Sequence, residues 1–145
     1  MNNIYTIGYE GKTLDEFIKL LLESSINHLV DVRSIAKSAR PGFGGQELKE
    51  KLFSKSIMYV HKPELGGMVE DDYHTVMEKD SWKKAYEGLK SIAKDIPTAI
   101  MCLEKDPMKC HRRHISERLE EEGWEVIHIG KGGSWKDKRL DDYIE

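Results

Sequence analysis

Between Thr98 and Arg113 the chain gathers two thiols, a carboxylate, an imidazole and two guanidiniums: Cys102, Glu104, Cys110, His111, Arg112 and Arg113. A thiolate is a nucleophile or a metal ligand, a carboxylate or imidazole moves protons, and a guanidinium holds anions. Asp106 and Pro107 have the types of a helix cap and first helical position, so Cys110 falls in or just after the first turn. Free amide N–H groups and the helix dipole favour a thiolate there, and Arg112 and Arg113 push the same way, whereas burial would oppose it. His111 and Arg112 precede the apolar Ile115 by four and three residues, which puts them on a sheet-facing stripe. The alternative is structural: Cys110 as an inert small residue and His111 as a histidine that fixes the turn.

A metal centre fits this spacing poorly. Seven residues separate the cysteines, there is no Cys-x-x-Cys turn, and adjacent helical residues such as Cys110 and His111 diverge by about 100°. No metal is therefore assigned. Cys102 lies in the apolar run Ala99 to Leu103 and reads as core.

Two further clusters carry chemistry. Arg33, Lys37, Ser38 and Arg40 precede Gly42, Gly44 and Gly45, a pattern in which glycine backbone amides and guanidiniums can cradle a phosphate or carboxylate. The competing reading pairs Arg33 with Glu64 or Glu104 to hold loops together. Neither the Walker pattern nor the dinucleotide fingerprint is satisfied, and GKGGS at Gly130 to Ser134 lacks the upstream glycine of a phosphate loop. The other cluster is His61, Glu64, Asp71, Asp72, Tyr73 and His74. It reads as a lid, with Glu64 as an acid or base and Tyr73 stacking on a ring; for Asp71, Asp72 and His74 a solvated loop is the preferred reading. Trp82, Trp124 and Trp135 are assigned to packing.

Alternating strands and helices must position these groups. Strands are expected at Ile4–Gly8, His28–Arg33, Ile57–Val60, Pro97–Leu103 and Glu125–Ile129. Thr13 and Glu16 form a capping box for a helix whose apolar face is Leu14, Phe17, Ile18, Leu21 and Leu22. Further helices are expected at Gln46–Phe53, from a Ser81 cap to Lys94, and from Pro107 to Glu122 before Gly123. Pro63–Asp80 reads as an irregular loop with one helical turn. This order predicts a single three-layer α/β domain: about five mainly parallel strands, Pro97–Leu103 inside the sheet, and helices on both faces. Residues following the strands then share the sheet's carboxyl edge, where open α/β sheets bind ligands: Tyr9 and Glu10, Arg33 and Ser34, His61, Glu104 and Lys105, Gly130 and Lys131.

Composition sets the outer limits. A chain of 145 residues is one ordinary domain, and 34% charged against 39% hydrophobic residues is the balance of a folded protein with a salt-rich surface. A net charge of −3 excludes a general nucleic-acid coat, though not a local basic patch. No apolar run approaches the roughly 20 residues of a membrane helix, and no charged leader precedes an apolar stretch, so a cytoplasmic protein with no membrane partner is expected. Two cysteines in such a compartment default to thiols.

The motifs TIGYEG, DVRS at Asp31, SARPGF at Ser38, HKPELGG at His61, MCLEKDPMKCHR at Met101 and HIG at His128 together resemble the family called domain of unknown function 488. The positions matching its signature are Arg33, Ser38, Arg40, Glu64, Gly66, Gly67, Cys102, Glu104, Cys110, His111 and Arg112. The resemblance implies a single α/β domain of unassigned biochemistry; Gly130–Glu145 lies mostly outside the signature. DVRS is also similar to the corresponding strand of rhodanese-like sulfurtransferases, but no cysteine heads a short loop closed by arginine here.

The residues support an enzyme-like domain that binds an anionic small molecule, a nucleotide or a nucleic-acid end at the carboxyl edge. Arg33, Ser38, Arg40 and Arg112 would hold the ligand. Glu64 and Glu104 would act as general acid and base, and Cys110 with His111 as nucleophile or clasp, in a hydrolase or transferase needing no cofactor that the sequence names. Alternatives are a binding module without turnover and a thiol enzyme of rhodanese-like type.

Overall fold

A computed structural model describes residues 2–66, 73–102 and 112–136, Cys102 and Arg112 by their backbone alone. In chain order its elements are β1 (Asn3–Gly8), α1 (Leu14–Glu23), β2 (His28–Asp31), α2 (Gly45–Phe53), β3 (Met58–His61), α3 (Tyr73–Met77), α4 (Asp80–Ala93), β4 (Thr98–Cys102), α5 (Arg112–Glu121), β5 (Glu125–Gly130) and β6 (Gly133–Trp135). A 3-10 turn at Pro63–Leu65 follows β3. The strands form one sheet in the order β3-β2-β4-β1-β5-β6. All pairings are parallel except β5 with β6. The expected α/β architecture is therefore present, with β4 inside the sheet between β2 and β1.

Strand periodicity divides the core in two. Ile4, Val30, Ile100 and Val126 face α4 and α5 through Trp82, Tyr86, Leu89, Ile115 and Leu119. Ile7, Leu29, Ala99, Met101 and Ile129 face α1 and α2 through Phe17, Ile18, Leu21, Leu48 and Leu52. Burying each such large apolar side chain contributes about 1.5–3 kcal/mol before the entropy of ordering it. Ala99, Ile100 and Met101 are fully buried, as a strand covered on both faces requires.

Thr13 caps α1 with the reciprocal bonds of a capping box. Of the face read from the sequence, Leu22 is a correction: it stays half exposed at the edge of the apolar stripe. α4 begins two residues earlier than expected, with Lys79 rather than Ser81 at its cap and Asp80 in the first turn, where the dipole favours a carboxylate. The loop before it holds α3 as well as the 3-10 turn. The start expected for the last helix, at Asp106 and Pro107, lies outside the described residues.

β6 is the one strand among the described residues that the sequence reading did not place. Gly130 opposes Gly133 across a Lys131–Gly132 turn, and Gly133 has φ +124, a conformation that favours glycine. Two glycines after an apolar run are the signal that marks such a hairpin.

Connections from β1 and β2 run toward β3 and carry α1 and α2 on one face. Connections from β3 and β4 run the other way and carry α4 and α5 on the opposite face. The directions reverse between β4 and β1, the topological position at which such sheets generally bind ligands.

Candidate functional site

Two arrangements occupy the carboxyl edge. On the β2 side, Asp31 ends its strand fully buried, and Arg33 folds back onto it, with Nε donating at 2.9 and 3.1 Å and a terminal nitrogen at 2.7 Å. The other terminal nitrogen of Arg33 donates to the Phe43 carbonyl at 2.7 Å and the Tyr9 hydroxyl at 3.3 Å. Tyr9 stacks on Phe43, with ring centroids 4.6 Å apart, while the Arg33 guanidinium lies over Tyr9. Tyr59 donates its hydroxyl to Asp31 at 2.5 Å, and His61 Nε2 meets the Arg33 carbonyl at 2.6 Å. The motifs around Tyr9, Asp31, Phe43 and His61 thus converge on one buried ion pair.

The electrostatics agree with this geometry. Burial alone would lower the Arg33 pKa, but the bonds and charge of Asp31 reverse that and raise it. Burial, then the bond to Asp31, raises the Tyr59 phenol. Gly66 belongs to the same joint: a Cβ there would stand 2.6 Å from the Val32 carbonyl and 2.7 Å from the Ser34 amide.

The partner of Arg33 is therefore Asp31, a correction to the pairing with Glu64 or Glu104. An aspartate two residues away along the chain bonds both the backbone N–H and the side chain of Arg33. Ser38 accepts a bond from the Arg40 amide and shapes its own turn. Arg40 reaches across to the Lys12 carbonyl at 2.7 Å, tying the cradle loop to the loop after β1. Glu64 is exposed on the 3-10 turn. Tyr73 is not a lid residue: it is buried, donates to the Leu65 carbonyl at 2.6 Å, accepts from Trp82 Nε1 at 2.9 Å and stacks on His114. Glu104, Cys110, His111, Asp71 and Asp72 lie outside the described residues, as do the side chains of Cys102 and Arg112. Among the described residues no three metal-ligating side chains converge, and no helix is long and apolar enough to cross a membrane.

The second arrangement is open. A cavity of about 660 Å³ lies beyond the ends of β1 and β5, lined by Glu10, Gly11, Lys12 and by the hairpin from Gly130 to Trp135. Four of its nine lining residues are glycines, which add no side chain to the wall. Lys12 is buried and donates to the Gly8 carbonyl at 2.7 Å. Lys131 pairs with Glu16 of α1 at 3.0 Å, both side chains half exposed. The Thr13 backbone amide, and then Lys131, hold the Glu16 carboxyl at about 2. Trp135 packs across Gly130, where a Cβ would stand 2.8 Å from the indole, and against His128 at 5.5 Å between centroids. It nevertheless remains 42% exposed, unlike Trp82 and Trp124 at 0% and 6%. The packing role assigned to Trp135 is thus only part of its position.

Sequence reasoning had placed Glu10, Gly130 and Lys131 at this edge but missed Lys12, Ser134 and Trp135. The missing signal was the hairpin, which folds the segment after β5 back beside β1. A family model described as "Domain of unknown function DUF488" matches residues 13–119. No curated protein and no solved structure matches the chain. The cavity lining falls in the segments that flank the matched residues.

Proposed function

We propose, for a chain that belongs to the DUF488 family, that it binds a small anionic ligand at the carboxyl edge of its sheet, in the cavity between the β1 and β5 loops. The family description names no activity, so the reading rests on this chain's own geometry. One observation carries it: a cavity of about 660 Å³, with four glycines and two lysines in its lining, lies at the carboxyl edge of the sheet. That volume is within the usual range for small-molecule sites, roughly 300–1,000 Å³. Lys12, Lys131 and the nearby Arg40 stand against Glu10 and Glu16, and Glu16 is engaged at the α1 cap. Backbone amides of a glycine-rich turn add donors without a desolvated charge.

In this reading the Asp31–Arg33 pair, which does not line the cavity, takes no part in binding, because four of the five guanidinium N–H groups are already bonded within the protein. Turnover would add a proton-transfer group to this binding site, a role for which Glu104, Cys110 and His111 are the candidates from the segment after β4. The test is calorimetric titration with inorganic phosphate and a mononucleotide, in wild type and Lys131→Ala. Binding by wild type that weakens severalfold in the variant and falls with added salt is the expected result. No binding of either probe at millimolar concentration would overturn the reading.

A further inference from the structure

The cavity has two features that a site for a bare anion does not need: a half-exposed indole, and a glycine that makes room for it. Trp135 stands across from His128 in the β5–β6 pairing, and its ring extends over Gly130. Any side chain at position 130 would displace the ring, since its Cβ would stand 2.8 Å from the indole. The ring is therefore seated by packing rather than left to rotate in solvent. Near it, Lys131 spans to Glu16 on α1 as an exposed ion pair. Such a pair contributes little to stability and is readily exchanged for a stronger anion.

We propose that this cavity is a mononucleotide site in which Trp135, seated over Gly130, stacks on the base while Lys131 leaves Glu16 to take the phosphate. The assignment rests on the anion-binding reading above and gives it a substrate class. A planar heterocycle suits a seated aromatic platform because every base has a π-face. The hairpin's backbone supplies acceptors and donors for the base edge, and Lys131 supplies the charge that a phosphate matches. Arg33 takes no part, being bonded to Asp31, Tyr9 and Phe43.

The experiment titrates the full chain with a nucleoside 5′-monophosphate, the corresponding nucleoside and inorganic phosphate. Wild type and Glu16→Gln are followed by tryptophan fluorescence, in which Trp135 is the accessible indole of the three. All proteins are also followed by calorimetry. The monophosphate and, more weakly, the nucleoside should quench wild type, and phosphate alone should not. Trp135→Ala should weaken the monophosphate by on the order of tenfold or more, whereas Trp135→Phe, which keeps a ring, should retain most of the affinity. Glu16→Gln retains a residue type that completes a capping box. It removes the charge that holds Lys131, so it should tighten the monophosphate by roughly twofold to fivefold and leave the nucleoside unchanged.

Equal affinity for phosphate and monophosphate, with no response to the nucleoside or to Trp135→Ala, would overturn the nucleotide assignment while leaving the anion site standing. No binding of any probe would overturn both.

Discussion

The two halves of the carboxyl edge each combine a cation, an aromatic ring and glycines, to opposite ends. On the β2 side, arginine, tyrosine and a glycine-rich loop close into a joint in which four of the five guanidinium N–H groups are bonded internally. On the β5 side, lysine, tryptophan and a glycine-rich turn leave a cavity. The difference lies in one residue, Asp31: a buried carboxylate at the end of β2 captures Arg33 before any ligand could. The β5 side has no buried acid among its lining residues, and the nearest ion pair, Lys131–Glu16, is half exposed. A basic, glycine-rich segment is therefore a ligand site only where the fold has not already supplied its counter-ion.

The largest effect should come from removing that counter-ion. Asp31→Asn leaves the buried guanidinium without its charge partner, and a loss of about 3–5 kcal/mol is expected from urea unfolding. A loss below about 1 kcal/mol would show that Arg33 does not depend on Asp31 and would erase the contrast between the two sides. Tyr59→Phe deletes only the hydroxyl bond to the same carboxylate. It should cost about 1.5–3 kcal/mol by the same measurement, the range for hydrogen bonds to charged groups. Gly66→Ala should cost about 1–3 kcal/mol, because the methyl group would press on the Val32 and Ser34 backbone and force it to shift.

Acid sensitivity separates the joint from the rest of β2. Arg33, its pKa raised, remains charged throughout the neutral range. At the other end of the strand, burial and then Lys62 lower the pKa of His28. The unfolded chain, with a histidine pKa of about 6.5, then binds more protons than the folded one in mildly acidic solution. The His28 contribution is therefore fully present above about pH 6.5 and is lost as pH falls toward the lowered folded value. His28→Gln should flatten the dependence of stability on pH between about 7 and 5, and an unchanged slope would assign it to other groups.

The architecture was legible because β4 and its neighbours are short, mainly apolar runs and α1 carries a complete capping box; both are local signals. The joint was half legible. The arginine, the aromatic residues and the glycines were visible, but the identity of Arg33's partner was not, since an acid two residues away competes with distant acids only once the backbone is placed. The cavity was least legible. It needs β5 beside β1 and a hairpin that turns Trp135 back over Gly130, and neither contact is near in sequence to Lys12. Lys131→Ala should have the smallest effect on folding, leaving the urea midpoint unchanged because its pair with Glu16 is exposed. A clear shift in that midpoint would make the β5 side structural as well.

The central claim, that the ligand site is on the β5 side and not at Arg33, is tested most directly by amide chemical-shift mapping in ¹H–¹⁵N spectra during titration with a mononucleotide. The account predicts saturable shifts concentrated at Glu10–Lys12 and Gly130–Trp135, with the indole N–H of Trp135 among them and the amides of α4 unmoved. Shifts centred on Arg33 to Phe43 with the hairpin silent would contradict it.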